Sequence, residues 1–215
     1  MPACTDFAAF SHSIAAPCRR PGKTLHLPGM ESAASDEDLM LRYGDGDAGA
    51  FEALYRRHRG RLYRFLLRQA GDAATAEELF QDVWMRVVSS RGRYEVRAKF
   101  TTWVYAIAHN RLADFHRAGG RAAFLSHEES EAVLETLPAA EIPADLLLDR
   151  KRATQRLLAA LAALPAVQSE AFLLQQEGDL SLEEIAAATG VSRETAKSRL
   201  RYAVAKLRAS LGKKS

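Results

Sequence analysis

The chain has 215 residues, with 30 Lys and Arg against 27 Asp and Glu for a formal net charge of +3, and it is 47% hydrophobic and 8% aromatic. This excludes disordered, collagen-like and disulfide-stapled classes, and the length suits one domain or two small ones with enough apolar residues for a core in each. Both cysteines, Cys4 and Cys18, lie in the first twenty residues, so no thiol pattern for zinc, redox cycling or nucleophilic catalysis exists elsewhere.

The first thirty-four residues hold His, Pro, Cys and Gly without a helical or strand period. Their Arg19 and Arg20 follow the weakly apolar stretch instead of preceding it as in a signal peptide. The expectation is a disordered leader, with Met30 a candidate for the natural start. The longest nearly apolar run, residues 157–167, is interrupted by Pro165 and falls well short of the roughly 20 residues a membrane span needs. A cytoplasmic protein without membrane insertion is expected.

Alternating Val, Ile and Thr runs are almost absent, while apolar residues recur at three- and four-residue spacing, so the chain is expected to be all-α. A short helix near residues 36–43 comes first. After the N-cap candidate Asp47, one stripe runs through Phe51, Leu54, Tyr55, His58, Leu62, Phe65 and Leu66 to Gly71. After Asp72 a second runs through Ala76, Leu79, Phe80, Val83, Trp84, Val87 and Val88. The third spans about residues 97–117 through Phe100, Trp103, Val104, Ile107, Ala108, Leu112 and Phe115. These helices make a first domain, residues 35–121.

Charge divides the rest. Residues 91–121 hold seven basic against two acidic residues. Residues 128–149 hold seven acids and no Lys or Arg, with Pro138 and Pro143 among them, which predicts a flexible acidic linker over 122–143. Residues 192–215 hold eight basic residues against Glu194. Basic helices attract polyanions by releasing condensed counterions, although either cluster alone is equally compatible with a solvated helix face.

The second domain, residues 144–212, begins with a helix over 144–163 that Pro165 stops; another passes through Phe172 and Leu173 and closes at Gly178. Ser181 and Glu184 form a capping box, the helix they start ends at Gly190, and Ser192 caps a last helix with the stripe Ala196, Leu200, Val204 and Leu207. Two helices joined by a short glycine turn, with small Ala186 at their crossing and a strongly basic second member, predict a helix-turn-helix. The first turns of its second helix would present Arg193, Glu194, Thr195, Lys197 and Ser198 to base edges, with Arg199 and Arg201 on phosphates.

Two segments together resemble a known family. Residues 76–88 (AEELFQDVWMRVV) with 99–114 (KFTTWVYAIAHNRLAD), and residues 164–207, are similar in order and separation to the two conserved regions of bacterial RNA polymerase sigma factors of the extracytoplasmic-function type, group IV of the sigma-70 family. The resemblance implies an all-α protein of two small domains, a region 2 bundle and a region 4 helix-turn-helix. It implies that Glu78, Gln81, Asp82 and Arg86 dock on the clamp helices of the polymerase largest subunit, with further contact to the polymerase flap. For the minus-ten element it implies base capture and melting without ATP by the segment 91–98 and the helix after it. Tyr94, Arg97, Lys99, Trp103, Asn110 and Arg111 are the candidate contacts, aromatic faces stacking bases and cations meeting phosphates. Phe100 and Trp103 sit on the apolar stripe, so core packing competes for them; Tyr94 and Asn110 are the cleaner functional candidates. The minus-thirty-five element falls to Arg193, Glu194, Thr195, Lys197, Ser198, Arg199 and Arg201. Ala196 departs from the larger β-branched residue often found there, which lightens the core between the two helices. The family also implies a monomer when free and a cognate anti-sigma factor, which can hold the protein at the inner membrane.

The main rival is an autonomous helix-turn-helix regulator, which explains the last two helices equally well but neither the Gln81–Asp82 face nor the aromatic and basic helix. An anti-sigma-titrating mimic would have no need of both basic faces. An enzyme is disfavoured: His109 and Asp114 are five apart on a helix and point to different sides, His116 adds no ligand set, and no phosphate-binding glycine loop occurs. No catalytic residue, metal or cofactor is expected.

Overall fold

Asp and Ser residues that precede the apolar stripes start most of the helices. A computed structural model describes residues 34–119 and 144–212. The helices are α1 (Asp36–Gly44), α2 (Ala48–Ala70), α3 (Ala73–Ser90), α4 (Phe100–Arg117), α5 (Ala144–Ala162), α6 (Ala166–Gly178), α7 (Leu182–Thr189) and α8 (Arg193–Leu211), with a 3-10 turn at Arg91–Arg93. No strand occurs among the described residues. The expected leader with Met30, Cys4 and Cys18, and the expected linker over 122–143, lie outside the described residues.

Side-chain oxygens of Ser35, Asp47, Asp72 and Ser192 accept from the backbone N–H three residues on, at 3.1, 3.1, 2.8 and 3.2 Å. Each satisfies one of the donors a helix start leaves orphaned. Gly71 ends α2 in the left-handed region at φ 83°, its N–H donating to the Leu67 carbonyl at 2.9 Å. One start differs from expectation: α4 begins at Phe100 and not at Arg97, because residues 97–99 stay outside the helix and Lys99, at the cap, offers no side-chain acceptor.

In the first group α2, α3 and α4 bury Leu54, Leu62, Phe65, Leu66, Val83, Val87, Phe100, Val104 and Ala108 against Leu39 and Met40 of α1. Trp84 packs edge-on against Phe51, Tyr55 and Phe80 with centroids 4.9–6.2 Å apart. The second group, α5 to α8, closes around Leu173, Leu174, Ile185, Ala196, Ala203 and Leu207. Ala203 is fully buried there, whereas Leu200 and Val204, expected on the stripe, are only half-buried.

The two groups are docked, which the flexible tether did not suggest. One continuous buried cluster includes residues of both. Gly178 ends α6 against α4, where an added Cβ would lie 3.1 Å from Cε2 of Tyr105. Beside it Glu177, buried at 9% side-chain exposure, receives Arg64 at 3.0 Å and also Arg68 from α2. Burial lowers the Arg68 pKa from its ordinary value, against the opposing pull of Glu177. Glu170 of α6 lies 2.6 Å from Nδ1 of His109 on α4, and Glu184 of α7 lies 2.9 Å from Nζ of Lys99.

Candidate nucleic-acid interface

Ser181 and Glu184 set the entry of the helix-turn-helix. The Ser181 N–H donates to Glu184 at 2.8 Å and the Glu184 N–H to the Ser181 hydroxyl at 3.2 Å, both bonds of the capping box. Gly190, at φ 66°, turns the chain, Ala186 is buried at the crossing, and α8 starts three residues after the glycine.

The structure places Arg193, Glu194, Lys197 and Arg201 on exposed positions of α8, while Thr195, Ser198 and Arg199 are half-buried. The Ser198 hydroxyl donates to the Thr195 carbonyl at 2.9 Å, and the Ser192 and Thr195 hydroxyls lie 2.9 Å apart. Arg193 is held by Glu183 of α7 with Glu194 at 3.6 Å, and the hydrogen bond from Arg193 holds the Glu183 carboxyl below the usual carboxylate range. The Arg201 guanidinium lies 5.0 Å from the ring centroid of Tyr202, which is half exposed. The accessible cationic stripe is therefore Arg193, Lys197 and Arg201.

The segment 91–99 is exposed except at Tyr94. The Tyr94 ring is half-buried, T-shaped against Trp103 with centroids 5.1 Å apart, and Trp103 in turn meets Phe100 at 5.8 Å. Burial, then the carboxylates of Glu37 and Asp36, push the Tyr94 phenol up to about 12. Tyr94, a minus-ten candidate, is thus half-buried against Trp103 while the rest of the segment stays exposed. Phe100 is fully buried and serves the core. Asn110 is exposed, Arg111 is paired with Asp114, Arg97 with Glu95 at 2.7 Å, and Lys99 with Glu184. His109 and Asp114 face different partners, Glu170 for the histidine and Arg111 with Arg117 for the aspartate.

On α3, Glu78, Gln81, Asp82 and Arg86 are all exposed on the side away from Leu79, Phe80, Val83 and Val87. Gln81 donates to Glu77 at 3.0 Å. Met85, 64% exposed, adds an apolar spot to this polar face. Sequence reasoning passed over Met85 as part of no pattern, although its position between Asp82 and Arg86 carried the signal. It also passed over Glu177 and Glu37, whose partners lie far away in the chain.

No described helix is long and apolar enough to cross a membrane. Two family models match the chain, sigma-70 region 2 over residues 54–122 and sigma-70 region 4 over residues 154–207. The RNA polymerase sigma factor CarQ of Myxococcus xanthus is 36% identical over 174 residues, 80% of this chain and 95% of that protein. The extracytoplasmic-function (ECF) RNA polymerase sigma factor SigK of Mycobacterium sp. strain KMS is 30% identical over 182 residues, 83% of this chain and 92% of that one. Among solved structures, CnrH in complex with the cytosolic domain of CnrY shares the fold at a TM-score of 0.59 with 23% identity, over 84% of this chain and 99% of that one. Sigma factor RpoE in complex with the anti-sigma factor NepR, from Bartonella quintana, does so at 0.57 with 24% identity, over 77% and 98%. With both conserved regions in order along one chain and close relatives spanning nearly their whole length, this protein belongs to the extracytoplasmic-function sigma factors of the sigma-70 family.

Proposed function

We propose that the chain binds core RNA polymerase through Glu78, Gln81, Asp82, Met85 and Arg86, reads the minus-thirty-five element with α8 and melts the minus-ten element with the segment 91–99 and α4. In this reading it is a non-catalytic recognition subunit of the cytoplasm, with residues 35–121 and 144–212 as its two domains and an anti-sigma factor among its partners. The observation that carries it is the combination, on one chain, of an exposed acidic and polar α3 face with the exposed cations of α8. An autonomous regulator needs only the second of these.

The docked arrangement does not span both promoter elements at once. Lys99 and Arg193 are paired with the adjacent residues Glu184 and Glu183, which keeps a minus-ten cation and a minus-thirty-five cation within a few side-chain lengths of each other. Elements near positions minus ten and minus thirty-five lie about 25 base pairs apart, roughly 85 Å at about 3.4 Å per pair. Promoter engagement therefore requires the two groups to part, and polymerase, by fixing each separately, makes the second DNA contact effectively intramolecular.

The test is run-off transcription with purified bacterial core polymerase on a genomic fragment library, followed by sequencing of the 5′ ends. Defined starts that depend on the protein are expected. Absence of starts together with tight, specific DNA binding by the protein alone would replace this reading with the autonomous regulator.

A further inference from the structure

Helix α4 lacks a local cap. Its first N–H, on Phe100, is one of the orphaned donors of a helix start, and the residue before it is Lys99, whose ammonium only donates. The acceptor comes from 63 residues earlier: Glu37 of α1 receives the Phe100 N–H at 2.6 Å. A carboxylate there meets the positive end of the helix dipole and makes a charge-assisted bond.

The same helix grips the other end of the segment. An added Cβ on Gly44, the last residue of α1, would lie 2.9 Å from the Arg91 carbonyl, so the backbones touch, and the Arg91 guanidinium sits 5.6 Å from the ring centroid of Tyr43. Glu37 and Gly44 are seven residues apart, hence on nearly the same side of the helix and about 10 Å apart along it. The nine peptide links from Arg91 to Phe100 would reach about 30 Å if extended. Helix α1 thus spans the segment and holds its two ends at a fraction of its free reach. It is itself anchored: Asp36 pairs with Arg57 and with His58 of α2, each at 2.7 Å, and Leu39 and Met40 are buried.

We propose that α1 is a splint for the minus-ten segment and that Glu37 is its positioning residue. This rests on the sigma factor reading above. Glu37 touches no DNA; it sets where Tyr94 and Lys99 stand by closing the end of the loop that carries them. Base capture needs a pocket already formed when the base leaves the stack, because each rotamer or loop ordered at that moment subtracts from binding.

The experiment compares the wild-type chain, Glu37→Ala and Glu37→Gln in three measurements: affinity for core polymerase, run-off from a duplex promoter, and run-off from the same promoter with mismatches already opening the minus-ten element. Hydrogen exchange of residues 94–103 is followed in the free protein. Glu37→Ala is expected to lose roughly tenfold on the duplex, a factor equal to about 1.4 kcal/mol, to recover on the opened template, and to bind core unchanged. Exchange in 94–103 rises. Glu37→Gln, which keeps an acceptor oxygen, retains most of the protection and activity. Unchanged exchange in Glu37→Ala, or an equal loss on both templates, overturns the splint. Wild-type protein that starts transcription on neither template, with the exchange difference intact, overturns the sigma factor reading and with it the promoter role of the splint.

Discussion

Glu177 offers the sharpest test of how the two helical groups hold together. Its carboxylate is 9% exposed and accepts from Arg64 and Arg68, whose side chains keep only 21% and 18% of their exposure. Removing the acid by Glu177→Ala leaves two guanidinium groups facing each other across a buried gap, and removal of one partner of a buried pair typically costs about 3–5 kcal/mol. Because about a fifth of each arginine still meets water, the lower end, about 3 kcal/mol, is expected. Glu177→Gln keeps the volume and one acceptor and should lose about half as much. Urea unfolding of the full chain, followed by the fluorescence of Trp84 and Trp103, measures the loss. A double-mutant cycle with Arg68→Ala isolates the pair, with a coupling of about 1 kcal/mol or more expected. The groups should also separate, read as a longer distance between dyes placed on α3 and α8. Stability of Glu177→Ala within about 0.5 kcal/mol of wild type, a change ordinary for surface sites, together with zero coupling, would refute the account of the interface.

Asp82→Arg reverses an exposed charge on α3, so the fold should survive while co-purification with core polymerase is lost; unchanged co-purification would remove α3 from the interface. Lys197→Ala should weaken preference at the minus-thirty-five element by about 1–3 kcal/mol if the contact is base readout, and a promoter library with unaltered preference would exclude it. The hydrogen bond from His58, followed by that from Arg57, holds the Asp36 carboxyl below its ordinary value. A depressed carboxylate contributes stability above the unfolded value of about 3.9 and loses it as pH falls through the folded value. The wild type should therefore lose more stability on acidification below pH about 4 than Asp36→Asn, and parallel acid limbs in urea titrations would contradict this.

Much of the architecture was legible in the residues themselves, because it depends on contacts short in sequence. Caps at Asp47, Asp72, Ser181 and Ser192 act three residues away, a left-handed glycine acts on the turn that precedes it, and the three-four stripe marks the buried side of each helix. The polar face of α3 and the basic face of α8 were legible for the same reason, since residues left off an apolar stripe are the exposed ones. What tertiary structure alone decided were the contacts between residues far apart in the chain. The start of α4 depended on an acceptor from α1, and Lys99 gave no hint of it. Tyr94 became a wall of the segment because Trp103 and the two carboxylates of α1 surround it. Docking of the two groups depended on Glu177 and Gly178 meeting α2 and α4. Local periodicity cannot distinguish a carboxylate that faces water from one that faces two arginines over a hundred residues away, because both sit equally well at the end of the same helix.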